Sequence, residues 1–265
     1  MKDLDAYLRR IGLEGEPTVA QIHRAHATTI PFENLDPQRG LAPSLGLDDL
    51  ERKLVRERRG GYCFEHNLLL TGALRELGCE VDWLLARVRM GAAEGQVRPR
   101  SHLVLRVRKG GEDWLADVGF GMGTLLEPLP FAIGAVEDQA GWRVRLRRDG
   151  AELVLQAAEG EEWSDLYGFL EDPVPLVDIE VGNWWTATHP GSPFVSGLIV
   201  ATQDGQGSRT SLSDWNGLAL SEQTPTTRTS TPVERVEVPA LLATHFGLDG
   251  FALHPSGRLV REDDL

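Results

Sequence analysis

Cysteine is scarce in this 265-residue sequence, which has only Cys63 and Cys79. One disulfide between them stays open on paper. So sparse a count argues against a disulfide-built secreted scaffold and for a reducing compartment, so a cytoplasmic protein is expected. No apolar run approaches the roughly 18 to 20 residues of a membrane span. The opening Met1-Lys2-Asp3-Leu4-Asp5 has no hydrophobic signal core. Basic residues are in deficit: 27 Lys and Arg face 40 Asp and Glu, a net charge of −13. Binding nucleic acid through its phosphates needs the opposite balance, so neither nucleic acid nor membrane is an expected partner. Repeats and low-complexity tracts are also missing. With 41% apolar and 25% charged residues, what remains is an ordinary globular composition, long enough to bury a core without staples.

The charge is uneven. Arg87, Arg89, Arg98, Arg100, Arg106, Arg108 and Lys109 fall in one stretch whose only acid is Glu94. That stretch reads either as the solvated edge of two strands or as a strip for a small polyanion.

The first eighty residues read as helical. Asp3 or Asp5 caps a helix to Ile11 that Gly12 ends, and Pro17-Thr18 opens another through Ala27. A third follows Asp48-Asp49 through Arg56, and a fourth spans Cys63 to Leu77 with Gly78 as its exit. The period then changes to two over Val81–Val88, His102–Arg108 and Asp113–Val118. Gly110-Gly111 between the last two runs signals a hairpin. Shorter strands at Trp142–Leu146 and Leu153–Ala157 suggest a barrel or sandwich to about residue 190, and Pro190–Pro193 reads as a linker. Strands at Leu198–Ala201 and Gly217–Leu220 and a helix at Pro239–Phe246 complete the chain.

Cys63 stands where Gly60-Gly61 give way to a helix. The first turn of a helix offers unpaired N–H groups and the positive end of the macrodipole. Both favour a thiolate nucleophile. The alternative is a structural cysteine, which is how Cys79 reads. The hairpin supplies a base. A two-residue turn pairs Lys109 with Glu112, which sets His102 and Asp117 as diagonal neighbours on one face. A base and the carboxylate that fixes its tautomer need that arrangement, and a one-residue slip would destroy it. Cys63-x-x-His66 has zinc-like spacing but lacks two further ligands, since Cys79 lies a helix length away. No metal is expected. His23, His26, His189, His245 and His254 have no partner that sequence can assign. Gly119-Phe120-Gly121-Met122-Gly123 opens no helix, so it is not a dinucleotide fingerprint. Gly119 and Gly121 instead read as places where a flat ligand or acyl chain lies against the backbone, with Phe120 as an apolar wall.

Four blocks together resemble the arylamine N-acetyltransferase family: Ile30-Pro31-Phe32-Glu33-Asn34-Leu35, Arg59-Gly60-Gly61-Tyr62-Cys63-Phe64-Glu65-His66-Asn67, Ser101-His102-Leu103, and Asp117-Val118-Gly119-Phe120-Gly121. The likeness is convincing over about residues 20 to 125 and loose beyond. It implies an α+β fold with an N-terminal helical bundle (1–80), a central antiparallel β-barrel (81–190) and a C-terminal α/β lid (191–265), built on a cysteine-protease-like catalytic core. It implies a triad of Cys63, His102 and Asp117, and pocket positions at Phe32, Val88 and Phe120. It further implies acetyl-CoA as co-substrate, an arylamine or hydrazine as acceptor, and a ping-pong reaction through acetyl-cysteine. A cysteine acyl hydrolase or thioesterase, and an amide synthase of natural-product biosynthesis, use the same groups. A binding module that keeps the fold would not need all three.

Overall fold

Short polar residues ahead of apolar stretches start the helices. A computed structural model describes residues 1–93 and 95–264. Glu94, the one acid of the basic stretch, lies outside them. Asp3 caps α1 (Leu4–Arg10) by accepting the Ala6 N–H at 2.8 Å, and Thr18 with Gln21 forms a capping box on α2 (Val19–Thr29). A two-residue strand β1 (Phe32–Glu33) precedes α3 (Leu35–Gln38). The sequence reads as a plain α-helix to Arg56, but α4 (Leu47–Leu50) runs on as a π-helical stretch over Glu51–Arg56. Helix α5 (Cys63–Glu76) is buried over its first three turns, and Gly78 leaves it with a φ of +78°.

The strands follow as β2 (Glu80–Val88), β3 (Arg100–Lys109), β4 (Glu112–Ala116), β5 (Leu129–Pro130), β6 (Val136–Gln139), β7 (Trp142–Asp149), β8 (Glu152–Glu159) and β9 (Glu162–Phe169). They form one antiparallel sheet in the order β5-β4-β3-β2-β9-β8-β7-β6. Beyond β5, Ile133 bridges Leu146 of β7, so the sheet curls into a nearly closed barrel. Of the barrel and sandwich expectations, the barrel is the one realised. Gly110 and Gly111 both take positive φ (63° and 87°), the mirror-image turn a two-residue hairpin needs, and Lys109 pairs with Glu112. Alternation along each strand makes two cores. Leu84, Val104, Leu115, Leu155 and Tyr167 fill the barrel, while Leu85, Leu103, Leu105 and Val107 pack outward on the helical layer.

Strands continue only to Phe169. Helix α6 (Leu176–Thr188) occupies the end of the stretch read as barrel, because its valines and paired tryptophans obscure a helical period. After α7 (Pro193–Ser196) come β10 (Ile199–Gln203), β11 (Arg209–Ser213), β12 (Ala219–Gln223) and β13 (Arg228–Pro232). Then α8 (Val238–Phe246) leads to a small hairpin of β14 (Phe251–Leu253) and β15 (Leu259–Arg261). The second sheet runs β1-β10-β11-β12-β13, so a strand from the N-terminal helical region forms one of its edges. No helix among the described residues is long and apolar enough to cross a membrane.

Buried charge anchors the start of α5. Lys53 Nζ lies 2.6 Å from Asp36 and 2.7 Å from Glu65, and Glu65 accepts the Tyr62 N–H at 3.1 Å. Arg59 pairs with Glu33 at 2.6 Å and with Asp36 at 3.1 Å. Burial pushes the Glu65 carboxyl up to about 7 against the pull of Lys53. Lys53→Met therefore leaves Glu65 and Asp36 buried without that cation. It should cost about 3–5 kcal/mol, read as a lower urea midpoint; an unchanged midpoint contradicts this account.

Candidate active site

The sequence puts Cys63 at the first position of α5, and the fold directs its side chain toward β3. The residue is 3% exposed, and its thiol points at the Ser101 carbonyl at 3.6 Å. His102 is the next residue along β3. Its Nε2 meets Asp117 Oδ2 at 2.7 Å, with both side chains buried. Asp117 lies just past the end of β4, where the cross-strand register has stopped at Leu105 and Ala116. The carboxylate is therefore held by other contacts. Its Oδ1 accepts Asn67 Nδ2 at 3.0 Å and the Gly119 N–H at 2.9 Å.

The electrostatics follow from burial and pairing. Burial opposes charge on His102, but the Asp117 carboxylate overrides it, and Cys63, which adjoins the same ring, adds to the effect. The imidazole is pushed up to about 10. Burial likewise opposes charge on Asp117, yet the imidazolium and the two N–H donors hold it below the usual carboxylate range. Both shifts favour the imidazolium–carboxylate form of the pair.

An aromatic wall encloses it. The Phe120 ring lies 4.9 Å from the His102 ring, and the Tyr167 ring lies 4.8 Å from it on β9. Phe120 and Tyr167 meet edge to face at 4.9 Å. The wholly buried Tyr167 hydroxyl lies near Asp117 but makes no well-aligned hydrogen bond, and burial together with that carboxylate holds the phenol neutral. Phe32 stacks on His66 at 6.3 Å and meets Phe194 at 6.1 Å.

The remaining expected positions are distributed around this centre. Gly119 packs against the start of α5: a Cβ there would stand 2.7 Å from Cys63 Cα, so the missing side chain admits the helix. Gly121 has a φ of +61° and borders Phe32, with its ideal Cβ 3.5 Å from that ring. Val88 pairs with Tyr167 across β2 and β9, and also lines an open concavity of about 620 Å³ with Arg87, Arg89 and Arg98. His66 uses both ring nitrogens on protein, Nδ1 with His26 Nε2 at 2.8 Å and Nε2 with the Pro31 carbonyl at 3.2 Å. Among the described residues, no group of three or more His, Cys, Asp or Glu is placed to hold a metal ion.

Sequence reasoning missed Asn67, Tyr167 and His23. Asn67 was findable: it lies one helical turn after Cys63, on the same face of α5. Tyr167 sits on a strand that the sequence left unread, and His23 is brought in from α2 only by the tertiary fold.

A cysteine at a helix mouth, beside a histidine that is hydrogen-bonded to a buried carboxylate on a β-barrel, is the arrangement that cysteine-dependent acyl transfer requires. Comparison with known proteins narrows the class. The profile of the N-acetyltransferase family matches residues 17–250. The arylamine N-acetyltransferase of Mycolicibacterium smegmatis is 46% identical over 75% of this chain and 76% of its own length. The arylamine N-acetyltransferase / N-hydroxyarylamine O-acetyltransferase of Salmonella typhimurium is 35% identical over 92% of this chain and 88% of its own. The solved structure of Mycobacterium marinum arylamine N-acetyltransferase in complex with CoA superposes with a TM-score of 0.87 at 38% identity, covering 93% of each chain. The chain belongs to the arylamine N-acetyltransferase family and is an acyltransferase with that family's cysteine-protease-like fold.

The pair carries a pH signature. His102 is raised in the folded state, so its contribution to stability is complete below the unfolded value of about 6.5 and is lost as pH rises through about 10. The thermal stability of wild type over His102→Gln should therefore shrink between pH 6.5 and 10. A difference that stays flat across that range contradicts the imidazolium assignment.

Proposed function

We propose that this enzyme transfers an acetyl group from acetyl-CoA to the nitrogen of an arylamine or hydrazine, in two half-reactions through an acetyl-Cys63 intermediate. The observation that carries the reading is the 2.7 Å bond between His102 and Asp117 beside the Cys63 thiol. The likeness to a structure holding CoA supports the choice of donor.

In the first half-reaction the Cys63 proton resides on His102 while the sulfur attacks the thioester carbonyl. The carbon–sulfur bond to CoA breaks, and the departing thiolate takes the proton from His102. One thioester replaces another, so the step is nearly balanced in energy. In the second, the amine nitrogen attacks the acetyl carbon. It gives its proton to His102, and Cys63 leaves as the thiolate that recovers that proton. Backbone N–H groups at the first turn of α5 are suited to steady the oxyanion.

Water is the competing nucleophile. Cys63 and His102 are 3% and 2% exposed, and Phe120 and Tyr167 cover the imidazole. A dry, ring-lined centre favours a flat, uncharged amine over water, which favours the transferase over the thioesterase reading. Phe32 and Phe120 form the walls of the acceptor cleft in this reading, and Gly121 and Val88 border it. A reducing cytoplasm suits an enzyme with two buried free thiols.

Mass spectrometry after mixing with acetyl-CoA tests the intermediate. One acetyl adduct on wild type, absent from Cys63→Ser and discharged by aniline, is the expected result. An adduct that water clears as fast as aniline does would favour the hydrolase.

Gly123 offers a test of the wall. An ideal Cβ on Gly123 would lie 2.5 Å from Phe120 Cδ1. The ring cannot retreat into His102 and Tyr167, so Gly123→Ala should swing it into the cleft. Two-ring amines should then lose about tenfold in kcat/KM relative to one-ring amines, on the scale of 1–2 kcal/mol for a small misfit in an apolar pocket. An unaltered ratio removes Phe120 as the wall.

A further inference from the structure

His23 is buried completely and belongs to α2, yet both of its ring nitrogens are spent on one distant segment. Nε2 lies 3.1 Å from the Asp117 backbone nitrogen, and Nδ1 lies 3.3 Å from the Leu126 carbonyl oxygen. A backbone N–H can only donate and a carbonyl can only accept. The ring must therefore carry its proton on Nδ1 and a lone pair on Nε2. Only one tautomer of the neutral imidazole satisfies both ends, and burial, which pushes this histidine down to about 4, keeps it neutral.

The segment between those two contacts is the one that matters. Residues 117–126 leave the sheet after β4 and re-enter it at β5, with only a short 3-10 turn at Gly121–Gly123 between. They include Asp117, Gly119, Phe120, Gly121 and Gly123. On its far side Leu126 is held as well, its N–H donating to Gln139 Oε1 at 2.8 Å. A core histidine satisfied by unrelated groups would not fasten the first and last residues of a single loop.

We infer that His23 is a positioning residue for the reaction: its imidazole staples residues 117–126 by accepting the Asp117 N–H and donating to the Leu126 carbonyl. The Asp117 end sets the carboxylate under His102, and the Leu126 end sets the loop that carries Phe120. The inference rests on the acyl-transfer reading for its kinetic consequences, though not for its geometry.

The two ends can be cut separately in the full-length enzyme. Leucine fills much of the imidazole's volume and makes neither bond. Glutamine reaches to the Nε2 position and can accept there, while asparagine, shorter by one carbon, can donate from the Nδ1 position. With acetyl-CoA and a one-ring arylamine, His23→Leu should lower kcat about 100-fold, the scale of a misplacement near 1 Å. His23→Gln should restore most of kcat while KM for the amine stays raised. His23→Asn should leave kcat low and bring KM back. Backbone hydrogen exchange supplies a readout independent of catalysis: the Asp117 amide should exchange faster in His23→Leu and His23→Asn and stay slow in His23→Gln.

Parental kcat and KM in a folded His23→Leu enzyme would overturn the inference. Should that variant fail to fold, the Gln and Asn pair decides, and identical kcat values for the two would overturn it equally. If wild type forms no acetyl adduct, the acyl-transfer reading fails by itself. The exchange pattern at Asp117 then still confirms or refutes the staple.

Discussion

A carboxylate with no exposure to water, Asp117, sets the terms for the rest of the centre. Removing a charge from water is expensive, and a protein sustains it only where good geometry and further hydrogen bonds meet the remaining lone pairs. Here the partners come from different parts of the chain. β3 supplies His102, α5 supplies Asn67, and the residue's own strand end supplies the Gly119 N–H. Asn67 ties the same knot twice more, donating to the Leu103 carbonyl at 2.7 Å and accepting the Val118 N–H at 3.1 Å. Helix and barrel are thereby locked in one relative position, and that position brings the Cys63 sulfur beside the imidazole. Burying the acid and placing the Cys63 sulfur are one structural problem with one solution.

The second anchor works on the other side of Cys63. Glu33 pairs with Arg59 and donates its N–H to the Gly61 carbonyl at 2.7 Å, which fixes the glycine pair just ahead of α5. The flanking residues of the same short stretch turn toward the C-terminal sheet. Phe32 is paired with Ala201, while Asn34 donates to the Gly197 carbonyl at 2.6 Å and accepts the Ile199 N–H at 2.8 Å. Three consecutive residues thus join the helix mouth to the C-terminal sheet. The Ile30–Leu35 block is specific because each polar side-chain atom of Glu33 and Asn34 has an assigned partner, and not because the block touches the Cys63 sulfur.

Much of this could be read from local chemistry. Pro17-Thr18 announced α2, and Gly110-Gly111 fixed the hairpin register on which the meeting of His102 and Asp117 depends. Those signals are local, because a cap and a two-residue turn involve neighbours in sequence. The losses are non-local. Strand β9 owes its place to pairing with β2, through contacts such as Val88 with Tyr167, and nothing within Glu162–Phe169 announces that partner. Helix α6 hides behind Val177, Val181 and Trp184, exposed apolar residues that blur its two faces. His23 could not be assigned because its partners lie at Asp117 and Leu126, reached only when α2 docks on the end of β4. Gly119 was read as room for a ligand. The room is taken by the backbone of Cys63, a close approach visible only once helix and strand are packed.

The charge on His102 has two sources, and under the proposed reaction they have different lifetimes. Asp117 holds the imidazole up throughout, whereas Cys63 contributes only while its sulfur is free. Acetylation turns that sulfur into a neutral thioester and removes its share, so the ring becomes a weaker base once CoA has gone. The direction suits both halves. In the resting enzyme of this proposal the raised imidazole is suited to offer a proton to the departing thiolate of CoA. In the acetyl-enzyme it is relieved of part of that hold and can exist unprotonated to receive a proton from the amine. A single imidazole can then act first as acid and next as base without any change in its hydrogen bond to Asp117, because the group that changes is the nucleophile itself.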